Sequence, residues 1–174
     1  TLGRYGWNSA PNVTYVMNIS DINVSTAYTY VYKEDTTFLP PLREIEEDLE
    51  GSLSFYTCFE DVTTTGISDI DVVIEEVLSV RVRNPVTVSF NDTMYSLDEE
   101  RFYERDVDLL GLHNFTEEII AQQASLDLTA LLDSPYQVTL LKPDTQTIVY
   151  IIEDPSFSLE GENFTLMFAV ERVP

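Results

Sequence analysis

The stretch SLDLTALLDSPYQVTLLKPDTQTIVYIIEDPSFSLEGENFTLMFAVERV, residues 125–173, carries the clearest statement of fold in this chain. Leu126, Leu128, Ala130 and Leu132 alternate with Ser125, Asp127 and Thr129, the period of two that sends successive side chains to opposite faces of a strand. Asp133-Ser134-Pro135 supplies turn chemistry before Tyr136, Val138 and Leu140 resume the alternation. A second turn is expected at Lys142-Pro143-Asp144-Thr145. The run from Thr147 to Ile152 is apolar on both faces, as in a central strand, and Phe164, Leu166, Phe168 and Val170 then alternate with Asn163, Thr165 and Glu171. Four strands joined by short turns predict an antiparallel meander.

Working outward, strands are predicted at about residues 12–20 and 23–33, the second with Tyr28, Tyr30 and Tyr32 on one face as a packing row. Leu42, Ile45 and Leu49 recur at helical spacing between Pro41 and Gly51, which predicts a short helix over Pro41 to Glu50 with the acidic residues Glu44, Glu46, Glu47, Asp48 and Glu50 as its solvated face. Residues 52–60 then read as a strand that contains Cys58. The longest alternation sets Ile70, Val72, Ile74, Leu78, Val80 and Val82 against Asp69, Asp71, Glu75, Ser79, Arg81 and Arg83; Glu76, the exception on the apolar face, implies a bulge near Glu75-Glu76 or an edge that escapes the core, and a turn is expected at Asn84-Pro85. Asn91-Asp92 reads as a two-residue hairpin tip. Ser96-X-X-Glu99 resembles a capping box, so a second helix is expected over Asp98 to Leu110, closed by Gly111, with His113 in the loop beyond it. The segment 114–124 supports either a sugar-bearing Asn114 or a helix capped by Asn114. The fold class is therefore mainly β, an antiparallel β-sandwich of jelly-roll or immunoglobulin-like kind with one or two short helices. Residues 1–11 read as an N-terminal arm and 12–174 as one sandwich domain.

Charge narrows the partners. The formal net charge of -22 is far beyond the magnitude of about 2–8 that suits a small soluble domain. Salt, divalent cations or a basic partner must relieve the repulsion. Only nine Lys and Arg are present, too few for a nucleic-acid face. No apolar run approaches the roughly 20 residues that cross a bilayer, and with neither an initiator Met nor an apolar leader the chain is expected to be a mature or excised form.

The most specific signal is a count. Asn12, Asn18, Asn23, Asn91, Asn114 and Asn163, six of eight asparagines, stand in Asn-X-Ser/Thr with X not Pro. With Ser and Thr at about 18% of residues, chance places about 1.4 of the eight there. Pattern puts Asn12, Asn18, Asn91 and Asn163 on strand faces or turns away from the core. These sites predict N-linked glycans and an extracellular or cell-surface location.

Residues for catalysis are sparse. His113 and Cys58 are the only histidine and cysteine, so zinc and copper sites lack ligands and no nucleophile-base dyad has local support. The chain does not read as an enzyme, and no organic cofactor is expected. Calcium is the one metal weighed: Asp69, Asp71 and Glu75 share a strand face and suit a hard cation, although no EF-hand loop exists. One cysteine forbids an internal disulfide, so stability must come from the core, ions or assembly.

In being sequon-dense, rich in Thr and Tyr, nearly cysteine-free and β-rich, the chain resembles subunits of archaeal extracellular filaments and surface layers. That resemblance implies a structural subunit of a filament, pilus or surface assembly that polymerises with copies of itself through strand edges. Thr1 to Ala10 is the candidate donor strand, with Leu2, Tyr5 and Trp7 as anchors in a neighbour's sheet. The alternative is a recognition or adhesion domain of a viral or cell-surface glycoprotein, which needs one face free of glycan for its partner.

Overall fold

The computed structural model describes residues 7, 13–19, 24–54, 69–90, 93–122, 131, 133–159 and 161–171. Within them the protein is mainly β, built on open sheets whose strand pairs are antiparallel but for one, with two helices, the class expected of a β-sandwich with few short helices. The chain divides into two compact units, Leu42–Leu110 on one side and Thr1–Pro41 with Gly111–Pro174 on the other, and each is described by itself.

The discontinuous unit holds strands β1 (Thr14–Ile19), β2 (Val24–Lys33) and β3 (Thr36–Thr37), followed after the insertion by most of helix α2 (Leu109–Ala121) and by β7 (Gln137–Leu141), β8 (Thr147–Leu159) and β9 (Glu162–Glu171). Its sheet runs β1-β2-β9-β8-β7, with β3 attached to β2. The meander read from residues 136–173 is present as β7-β8-β9, and β8 is central, as its two apolar faces require. Of the fourth strand expected over 125–132 only Leu131 lies among the described residues, and its backbone is helical. Alternation in β1 also holds: Val13, Tyr15 and Met17 pack on the cluster of Tyr28, Tyr30, Val149 and Ala169, while Val16 is exposed. Tyr30 and Thr147 share a buried hydroxyl hydrogen bond of 3.1 Å, so the tyrosine row packs rather than presents a surface. Asp144 fixes the turn before β8 by accepting the N–H groups of Gln146 and Thr147 at 2.8 and 2.6 Å. The pairing of β2 with β9 is parallel, joining the two ends of the unit across its insertion.

The continuous unit contains helix α1 (Leu42–Ser54) and strands β4 (Asp69–Ile74), β5 (Leu78–Phe90) and β6 (Thr93–Arg105), ordered β4-β5-β6. The structure corrects four local expectations here. Helix α1 continues through Gly51 to Ser54 instead of stopping at Glu50; the remainder of the strand expected over 52–60 lies outside the described residues. The long alternation is a hairpin and not a bulged strand, because Ile74 pairs with Leu78 across a three-residue turn. A three-residue turn preserves parity, which is why Glu76, exposed at the tip, fell on the apolar phase of the sequence.

Asn84-Pro85 does not turn the chain, since β5 runs straight to Phe90. Pro85 is tolerated because β4 pairs no further than Arg83, so the side to which a residue-85 N–H would point carries no described ladder partner. Finally, residues 98–105 are strand and not helix: β6 pairs with β5 without interruption from Phe90↔Thr93 to Leu78↔Arg105. Thirteen consecutive cross-strand pairs outweigh a local capping signal. The hairpin expected at Asn91-Asp92 is flanked by that Phe90↔Thr93 pair, and both tip residues lie outside the described set.

Candidate functional site

The alternation of β4 and β5 gives their sheet one acidic-basic face and one apolar face. On the first, register sets Asp71 opposite Arg81, Asp69 opposite Arg83, and Arg83 opposite Glu100. Sheet twist then favours diagonal partners. Arg83 donates to both carboxylate oxygens of Asp98, from Nε at 2.9 Å and from Nη2 at 2.6 Å. Arg81 lies 3.3 Å from Glu100 and 4.0 Å from Asp71. The hydrogen bond and charge of Asp98 raise Arg83 above its ordinary pKa, and Arg83 in turn holds the Asp98 carboxyl below the usual carboxylate range. These pairs are solvent-exposed, so they order the surface more than they stabilise it.

Helix α1 contributes Arg43 and Glu50 to the same face, and together these side chains line a cleft of about 510 Å³. Arg43 is itself met by Glu47 at 3.1 Å and Glu46 at 3.7 Å. The cleft alternates guanidinium donors with carboxylate acceptors. Its lining of Arg, Asp, Glu and Ile70 offers charged hydrogen-bonding groups of both signs to a polar surface.

The expected calcium ligands separate on this surface. Asp69 and Asp71 stand on the cleft, whereas Glu75 lies exposed in the turn after β4. Among the described residues no group of three or more His, Cys, Asp or Glu side chains converges as a metal site. The charge of Asp71 is met instead by Arg81.

Sequence reading missed a role for the α1 carboxylates, which it took as a solvated face. Val72 N–H donates to Glu50 Oε1 at 3.0 Å, and Ile74 N–H to Glu46 Oε1 at 2.9 Å. An i, i+4 pair on α1 therefore accepts two outward N–H groups of the edge strand β4. The only hint in the sequence is an acidic pair at helical spacing ahead of an alternating strand.

The remaining expected residues lie in the discontinuous unit. Trp7 is 1% exposed; its Nε1–H donates to Thr116 Oγ1 at 3.1 Å, and its ring meets the His113 ring edge-on at 5.4 Å. It is thus packed on its own chain, while Leu2 and Tyr5 lie outside the described residues. His113 is buried in α2 and not in a loop, with Nε2 2.9 Å from the Pro40 carbonyl oxygen. A carbonyl only accepts, so Nε2 carries a proton. Cys58 lies outside the described residues. Asn114 and Asn163 are exposed, on α2 and β9 respectively. Asn18 belongs to β1 with its side chain outside the described set, and Asn12, Asn23 and Asn91 lie outside it altogether. Asn114 sits inside α2 and does not cap it. The hydroxyl of its sequon, on Thr116, is fully buried and donates to Leu112 O at 2.8 Å.

Among the described residues no helix is long and apolar enough to cross a membrane. No protein-family model matches the chain, and neither the curated proteins nor the solved structures contain a significant match.

Proposed function

We propose that this chain is a secreted, N-glycosylated structural subunit of an extracellular filament, pilus or surface assembly, which polymerises with its own copies through β-strand edges and catalyses no reaction. The observation that carries the reading is the concentration of six sequons among eight asparagines, with both of the fully described ones, Asn114 and Asn163, exposed. A dense glycan coat belongs to a surface that meets the outside of a cell. The excess of acid over base supports it further, since such a surface is kept compact by the salt or cations of an external medium. Burial of Trp7 on its own chain moves the expected contact from the N-terminal arm to the sheet edges themselves.

The test uses native material. Intact mass should exceed the 19.8 kDa of the bare chain and fall to it on deglycosylation, and negative-stain images should show polymers. A native mass equal to the bare chain removes the main support, and solitary particles remove the structural role. The mixed-charge cleft favours a second reading, a recognition domain that presents Arg81, Arg83 and their acidic partners to a polar ligand. Monomeric native material whose binding to a cell surface is lost in Arg81→Ala would select that reading.

A further inference from the structure

Strand edges differ in how they are treated, and the difference singles out one of them. Val72 and Ile74 give their N–H groups to α1, so the backbones of those residues point away from β5 and those of Asp71 and Val73 point toward it. Strict alternation carries this parity across the register. Ser79, Arg81 and Arg83 bond to β4, whereas Leu78, Val80 and Val82 bond to Arg105, Tyr103 and Arg101 of β6. The backbones of Asp98, Glu100, Phe102 and Glu104 are therefore directed outward from β6. The Glu104 carbonyl receives the Arg105 guanidinium at 2.9 Å, a contact within the strand itself.

Among the described residues the other edges are short or covered. The β4 edge is closed by Glu46 and Glu50. The β1 strand has six residues and carries the Asn18 sequon between those of Asn12 and Asn23, and β7 has five residues. By contrast β6 has thirteen, and it displays Phe102 at 58% and Tyr103 at 44% exposure. On its apolar face Tyr103 and Arg105 border a groove of about 300 Å³ floored by Leu53, Ile70, Leu78, Val80 and Val82.

We propose that the outer edge of β6, which no described strand pairs, docks a second copy of this chain, β6 against β6 in antiparallel fashion about a two-fold axis, so that two three-stranded sheets become one of six strands. The inference rests on the structural reading above and names its contact. Charge identifies the partner. Residues 78–105 carry four arginines against five carboxylates, close to neutral in a chain of net charge -22, so two copies repel only weakly at this hairpin. The side chains of Asp98 and Glu100 are already met by Arg83 and Arg81, which removes much of the charge that guards an edge strand. In an antiparallel pair outward backbones must face outward backbones. Among such registers the one centred on Phe102 sets ring against ring and Arg101 against Tyr103, and it brings Glu100, already met by Arg81, opposite Glu104. A two-fold contact of this kind is self-complementary, and it builds the paired repeat of the assembly.

The test is sedimentation equilibrium of the purified full chain with two substitutions, followed by cysteine cross-linking. Phe102→Pro deletes an outward N–H while sparing the ladder to β5, and Phe102→Lys places a charge on the axis with the backbone intact. Wild type should dimerise reversibly, and each variant should weaken the dimer at least tenfold while keeping the wild-type circular dichroism spectrum; Phe102→Lys serves if the proline variant misfolds. In a Cys58→Ser background, Phe102→Cys should oxidise to a disulfide-linked dimer, because directly opposed hydrogen-bonded residues lie about 5.5 Å apart at Cα. Glu100→Cys should not self-link but should link to Glu104→Cys when the two are mixed. A wild type monomeric to about 1 mM, or a folded Phe102→Lys that dimerises like wild type, overturns the edge contact. Native polymers that persist with Phe102→Lys show that the edge is wrong while the structural role stands. Solitary native particles beside cross-linked Phe102→Cys dimers show the converse.

Discussion

Replacing Thr116 by Val isolates one buried hydrogen bond and tests the account of Trp7. The two side chains have nearly the same shape, so packing in the fully buried site is preserved and the hydroxyl alone is lost. Leu112 O still receives the helical N–H of residue 116, and the carbonyl is not orphaned. The Trp7 Nε1–H, however, loses its 3.1 Å acceptor in a site that water does not reach. Leaving such a donor unmade costs about 1–3 kcal/mol, and for a chain of this length that is a fall in Tm of roughly 2–12 °C. Thermal unfolding is followed by far-ultraviolet circular dichroism, and Trp7 emission serves as a local probe because it is the sole tryptophan. The substitution also destroys the Asn114 sequon, so the comparison is made on unglycosylated protein with Asn114→Gln as control. Trp7→Phe completes a double-mutant cycle: with no indole N–H to strand, Thr116→Val should cost less than about 0.5 kcal/mol in that background. Equal cost in both backgrounds would refute the hydrogen-bond account.

Glu46→Ala with Glu50→Ala should uncover the β4 edge, destabilise the continuous unit and increase self-association, whereas the Gln pair, which keeps both acceptors, should do neither; light scattering and unfolding curves check both. The Asp98 carboxyl, held down by Arg83, should titrate below the usual value of about 3.9 when followed by carbon NMR, and Arg83→Ala should return it to that range. A lowered folded-state pKa means that this pair supports the fold above the ordinary carboxylate range and ceases to do so as pH falls through the lowered value. Asp144 behaves in the same sense: burial pushes its carboxyl up, but the N–H groups of Thr147 and Gln146 and the Tyr15 hydroxyl outweigh it. Stability of the whole chain should rise with sodium chloride, because screening relieves repulsion among 31 carboxylates; a Tm independent of salt contradicts this.

Alternation alone determined the mainly β class, the β7-β8-β9 meander and the inward phase of β1, because burial on one face of a strand writes a period of two into the sequence whatever the strand later pairs with. It also fixed the β4–β5 part of the cleft, since Asp69, Asp71, Arg81 and Arg83 had to share a face once they stood in one phase. Pairing partners left no such mark. Residues 98–105 look helical by their caps and become strand only through the thirteen residue pairs that β6 makes with β5, and Pro85 reads as a turn until one sees that β4 stops short of it. The same holds for α1. Nothing local distinguishes a carboxylate that faces water from one that accepts the N–H of Val72 or Ile74, because the acceptor's role is set by a strand that enters about twenty residues later. Likewise His113 and Trp7 meet across more than a hundred residues, and only the tertiary structure brings an arm residue onto α2, where exclusion of water makes their hydrogen bonds obligatory.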